Sequence, residues 1–97
     1  MKVRFHPEAR SEHLVAARYY EKEEAGLGSR YFAGIEQSVR RIGKSPRSFP
    51  VYKGSFRRIH VGKFPYTLFF SIEPDSVLIV AVAHQSREPE YWLDRVD

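Results

Sequence analysis

The sequence predicts an α+β fold in the order β-α-α-β-β-β, a helical hairpin packed on a four-stranded, mainly antiparallel sheet, with a short C-terminal turn or helix. Three observations predict it. Two stretches with apolar residues at helical spacing are divided by Gly26-Leu27-Gly28-Ser29. Two runs rich in Val, Ile and Phe, Thr67 to Ile72 and Val77 to Ala83, are divided by Glu73-Pro74-Asp75-Ser76, the pattern of paired strands joined by a turn. The chain is 97 residues long and 42% hydrophobic, enough for one domain with a single modest core and not for two.

Each element has its own signal. Val3 and Phe5 alternate with Lys2 and Arg4, a short first strand with one buried face. Pro7 and Glu8 suit the first turn of a helix that runs to about Ala25, with Ala9, His13, Ala16, Ala17 and Tyr20 on one face. Among those neighbours His13 reads as a satisfied, half-buried histidine rather than a catalytic one. The glycines break the helix, and Ser29 is the expected cap of the next. Tyr31, Phe32, Ile35, Val39 and Ile42 carry that second helix to about Gly43, antiparallel to the first because the connection is short. Lys44 to Ser55 reads as an irregular loop. Ile59 and Val61 then alternate with Arg58 and His60, and Tyr66, Leu68, Phe70 and Ile72 alternate with Thr67, Phe69 and Ser71. The last run is apolar on both faces, so it belongs between the first strand and the third. The expected core is Phe32, Ile35, Val39, Ile42, Leu68, Phe70, Ile79 and Val82.

Charge is unevenly spread. Residues 37–72 carry eight basic side chains (Arg40, Arg41, Lys44, Arg47, Lys53, Arg57, Arg58, Lys63) and no acidic one. Such a one-sign block attracts phosphates or an acidic partner. Without cysteine there is no disulfide framework and no thiol nucleophile. Neither a signal peptide nor a membrane-spanning stretch is visible, so a cytoplasmic protein that does not engage a membrane is expected. No metal site, dinucleotide fingerprint or P-loop is visible, and no cofactor is expected.

One metal-free chemistry fits the residues. RNA is cleaved by its own 2′-hydroxyl when a protein supplies a base, an acid and cations around the phosphate. His60, Lys63, His84, Arg87 and Tyr91 are residue types that fit those roles, and Lys53, Arg57, Arg58, His60 and Lys63 are the candidates for binding nucleic acid or another target. Tyr91 and Trp92 sit in a tail that can pack on the sheet as a lid.

From end to end the pattern resembles the RelE/ParE superfamily of toxins from bacterial type II toxin–antitoxin systems, the plasmid stabilisation proteins. The resemblance rests on Phe5-His6-Pro7-Glu8-Ala9, Tyr19-Tyr20-Glu21, Gly26-Leu27-Gly28 with Phe32, Ile42 with Pro46, and Phe49-Pro50. It continues through Arg57-Arg58, Phe64-Pro65-Tyr66 with Phe69-Phe70, and Val80-Ala81-Val82-Ala83-His84, and ends with Arg87, Pro89, Tyr91-Trp92 and Arg95. It implies a growth-inhibiting toxin, a cognate antitoxin bound in a hetero-oligomer, and one of two targets. These are mRNA on the ribosome, cut by an endonuclease, and DNA gyrase, poisoned by binding. A non-toxic module of the same fold that binds an antitoxin or RNA is the alternative. The mRNA-cleaving members have an arginine after the third-strand tyrosine and a lysine-arginine pair ending the fourth strand. Here Thr67 follows Tyr66, and the fourth strand ends in His84-Gln85, while Arg87 and Tyr91 match the basic and tyrosine positions beyond it, so the resemblance implies His84, Arg87 and Tyr91 as a variant catalytic set. Phe69 and Trp92 are the expected apolar anchors for the antitoxin.

Overall fold

A computed structural model describes residues 1–96. Strand β1 (Lys2–Phe5) leads into α1 (Pro7–Glu23) and α2 (Leu27–Lys44), followed by a 3-10 turn at Pro46–Ser48. Then come β2 (Val51–Lys53), β3 (Phe56–His60), β4 (Tyr66–Ile72), β5 (Ser76–His84) and a 3-10 turn at Leu93–Arg95. The sheet order is β1-β5-β4-β3-β2, with β1 parallel to β5 and every other pair antiparallel.

The α+β architecture is as expected, but the sheet has five strands, not four. The extra one, β2, lies in the stretch read as a loop. It is three residues long, follows Pro50, and pairs with β3 through an irregular register. A segment that short at a sheet edge shows no alternation, and Gly54, at φ +57, turns it back onto β3.

The hairpin of helices is built differently from its prediction. Gly26 caps α2 in the left-handed region at φ +88, and no side chain caps the helix there. Glu21, from the preceding helix, takes the free N–H groups instead, accepting from Gly26 at 3.1 Å and from Gly28 at 3.1 Å. Ser29 is therefore not the cap. A Cβ on Gly28 would lie 2.8 Å from the Ala17 carbonyl oxygen, so the close crossing of the helices requires glycine.

Both faces of the sheet are buried, where the chain's length suggested one core. Beneath the helices lie Tyr31, Ile35, Ile42, Leu68, Phe70, Val77, Ile79 and Val82. Phe32 is 39% exposed, a correction to its expected core position, while Val39 is partly buried and packs against the core. Tyr31, Ile35, Ser38 and Ile42 are the line that faces the sheet, and Phe32 flanks it against the His13 ring at 4.5 Å. The outer face carries a second cluster: Phe69, Leu78, Val80, Ala81, Ala83 and Trp92. The ladder between β4 and β5 shifts register after Phe69, pairing Phe70 with Ile79 but Phe69 with Ala81. This bulge lets Ile79 and Val82, three residues apart, share the helix side.

Candidate functional site

The site forms where the tail crosses the outer face at the far end of β5. Strand β1 covers β5 only as far as the Phe5–Ile79 pair. Beyond it, side chains occupy the free edge. Glu12 of α1 accepts from the Val82 N–H at 2.9 Å, and Arg95 donates to the Val80 carbonyl at 3.1 Å. Arg95 also donates to both Glu12 oxygens, at 3.0 and 2.7 Å, and the Tyr91 hydroxyl donates to Glu12 at 2.6 Å. Burial would raise the Glu12 carboxyl, but the bonds from Arg95, Tyr91 and Val82 outweigh it and hold the group below its ordinary value of 4.5.

A second clamp holds the tail to β2. Lys53 pairs with Glu90 at 2.7 Å, and the Tyr52 hydroxyl donates to the same carboxylate at 3.2 Å. Between the clamps Trp92 is 1% exposed, stacked on Phe69 at 4.6 Å and edge-on to Phe56 at 4.9 Å. Phe69 and Trp92, expected as antitoxin anchors, are thus packed on each other inside the chain.

A cleft of about 200 Å³ opens beside this cluster, lined by Tyr52, Arg58, Thr67, His84, Arg87 and Tyr91 among others. Arg58 lies over the Tyr52 ring at 4.9 Å, and Arg87 over the Tyr91 ring at 3.7 Å. Two guanidinium groups, each on a tyrosine, therefore flank the opening.

The three catalytic candidates, His84, Arg87 and Tyr91, all line this cleft, but their polar groups are differently engaged. His84 pairs with Tyr66 across the ladder, so it shares the helix side, and its ring stands edge-on to Tyr66 at 5.1 Å. Its Nδ1 accepts from the Ser86 N–H at 3.0 Å. Tyr91 is tied to Glu12, and burial followed by that bond pushes its hydroxyl far above the ordinary tyrosine value. Arg87 is 52% exposed. The basic candidates are dispersed. Arg57 faces the helix side and donates to the Phe49 carbonyl at 2.7 Å. His60 lies on the outer face with Nδ1 2.8 Å from the Thr67 hydroxyl, and Lys63 is exposed in the β3–β4 turn. Among the described residues no cluster of His, Asp and Glu is arranged to hold a metal ion. No described helix is long and apolar enough to cross a membrane.

Glu12 is the site residue that sequence reasoning missed. Its partners lie 70 to 83 residues away, so no local spacing announces it. The available signal was its place beside the buried line of Ala9, His13 and Ala16, where an acid needs a partner.

A family model described as the ParE toxin of the type II toxin-antitoxin system parDE matches residues 3–89. Among solved structures, a chain of the chromosomal ParDE TA system from P. aeruginosa superposes with a TM-score of 0.64 at 10% identity, covering 87% of this chain and 95% of that one. At that identity the likeness speaks for the fold alone. No curated protein sequence matches. The family match runs from β1 through the whole sheet and into the tail, and the chain belongs to the ParE toxin family of type II toxin–antitoxin systems.

Proposed function

We propose that this chain is the growth-inhibiting toxin of a type II pair, held silent by a cognate antitoxin in a hetero-oligomer, and that it acts by binding DNA gyrase rather than by cutting mRNA. The observation that carries this reading is the Tyr91 hydroxyl, donated to Glu12 at 2.6 Å. Cleavage of RNA without a metal needs a group free to take a proton and another free to give one. Tyr91 has its proton committed, and His84, which also lines the cleft, has its Nδ1 taken up by the Ser86 N–H at 3.0 Å. What the cleft presents is positive charge on aromatic supports, from Arg58 and Arg87. Such a surface favours recognition over bond breaking, and of the two targets that the RelE/ParE resemblance implies, gyrase is the one poisoned by binding.

The test is induction in bacteria while the SOS response, DNA breaks and transcript levels are followed together. SOS induction and breaks with intact transcripts are expected. Rapid transcript loss would overturn the reading in favour of an mRNA endonuclease, and unimpaired growth in favour of a non-toxic binding module. Arg87→Ala is expected to relieve growth inhibition with an unchanged circular dichroism spectrum, and exposed Arg18→Ala to leave it intact. The acid-free block of residues 37–72 supports steering of an acidic antitoxin segment, so association should slow as salt screens charge beyond about 8 Å.

A further inference from the structure

We infer that Glu12 is a positioning residue for Arg87, acting through the Tyr91 ring, and that Arg95 keeps the charge of Arg87 available to a ligand. The inference rests on the proposed role of the cleft as the target-binding surface.

Arg87 lies in the exposed segment after β5, where a long side chain ordinarily samples many rotamers and loses that freedom on binding. Here its guanidinium carbon is 3.7 Å from the Tyr91 ring centroid. That ring is fixed at its far end, because the hydroxyl donates to Glu12 at 2.6 Å. Glu12 is itself immobilised by donors from separate parts of the fold, the β5 backbone at Val82 and the tail at Arg95. A path of short contacts thus runs from α1 to the rim of the cleft.

The charges are ordered so that positioning does not consume the cation. A carboxylate near Arg87 would ordinarily pair with it and cancel it. Arg95, only 9% exposed at its side chain, instead holds both Glu12 oxygens at 3.0 and 2.7 Å. Arg87 reaches the same carboxylate only in a longer ion pair at 3.8 Å, weaker than that of Arg95, and remains 52% exposed. One arginine neutralises the acid from within, and the other faces outward on the ring that the acid holds.

A purely structural Glu12 would fasten the tail and nothing more, so the deciding readout is the state of Arg87. In the full-length chain, a guanidinium this close to a ring face gives ring-current-shifted Arg87 side-chain signals in nuclear magnetic resonance spectra. Tyr91→Phe removes the hydroxyl and keeps the ring, and Glu12→Gln removes the charge with little change of volume. Both are expected to return the Arg87 signals towards free-arginine positions and to raise at least tenfold the inducer needed for growth arrest. Unchanged Trp92 fluorescence in Tyr91→Phe would show that the tail remains docked. Should Glu12→Gln fail to fold, Tyr91→Phe decides alone. Wild-type Arg87 shifts and wild-type toxicity in Tyr91→Phe would overturn the inference. Arg87→Ala separates the two ideas: toxicity that survives it sinks the target-binding reading of the cleft and with it any positioning role. Loss of toxicity in Arg87→Ala alongside an indifferent Tyr91→Phe sinks only the positioning by Glu12.

Discussion

The two faces of the sheet are closed by different physics. On the helix side, α1 and α2 lay apolar lines over Leu68, Phe70 and Ile79, and the cover is itself regular structure. On the outer face, the cover is a tail whose one regular element is the 3-10 turn Leu93–Arg95. Few apolar side chains reach the sheet from it, with Trp92 the most deeply buried. Polar clamps make up the difference, through Glu12 at one end and Glu90 at the other. A helix buries a whole stripe once its backbone bonds are formed, whereas an irregular segment must be tied down point by point. The outer face should therefore open first.

The largest expected effect sharpens that contrast from the helix side. Phe70→Ala, at a position with no exposed surface, should lower stability by about 3–5 kcal/mol. Urea denaturation should show one transition in which both faces are lost together. Trp92→Ala removes a larger side chain but should cost only about 3 kcal/mol, the low end of the same range, because the tail can lift away instead of leaving a cavity. Hydrogen exchange should then accelerate at residues 85–96 and in the outer half of β5 while the helices stay protected. Equal acceleration in the helices would break the comparison.

Acid should separate the faces by a smaller amount. On the helix side, burial and then the Arg10 charge depress His13 below its ordinary 6.5, with Glu36 opposing. Its contribution is complete above about 6.5 and is lost as pH falls towards the lower folded value, because the unfolded chain takes up the proton first. Glu12, depressed below 4.5, contributes fully above that value and loses its contribution as pH falls through the folded one. Denaturation midpoints measured against pH should decline in two stages, and Glu12→Gln should shrink the lower stage alone, leaving the part due to Glu90, which Lys53 also holds below its ordinary value. A single stage in the wild type would mean that His13 or both carboxylates titrate normally. The smallest effect belongs to a pair on neither face. Arg30→Ala breaks the exposed Arg30–Glu24 bridge at 2.9 Å and should change stability by less than about 0.5 kcal/mol in the same urea assay.

The same division governs what the sequence made legible. Helices, β1 and the three long strands announce themselves because their period is repeated within a few residues, as at Tyr31, Ile35 and Ile42. Strand β2 is too short to repeat anything. The cap of α2 falls on Gly26 rather than Ser29 because Glu21 reaches across the turn, five residues to Gly26 and seven to Gly28, where a serine closer by offers a familiar pattern. In the site, Arg87 and Tyr91 were visible as residue types, and Arg58 as one of a basic block. What was hidden is which of them are already occupied. Arg57 and Arg58 are adjacent in sequence, yet one serves loop carbonyls on the helix side and the other stacks on Tyr52 outside. Alternation along β3 separates them, but only the fold reveals what each meets.

The bulge in β5 has a consequence for how this chain could change length. Within a regular strand, losing one residue turns every later side chain to the opposite face. In β5 the pairing passes from Ile79 to Ala81, so the ladder with β4 does not count Val80. A deletion there would leave Val82 facing the helices, Ala83 facing the tail and His84 opposite Tyr66. The damage would be confined to one buried side chain and the carbonyl that receives Arg95. Val80 is thus a spare count in the strand, a place where a single-codon loss would act as a local defect rather than a shift of everything downstream.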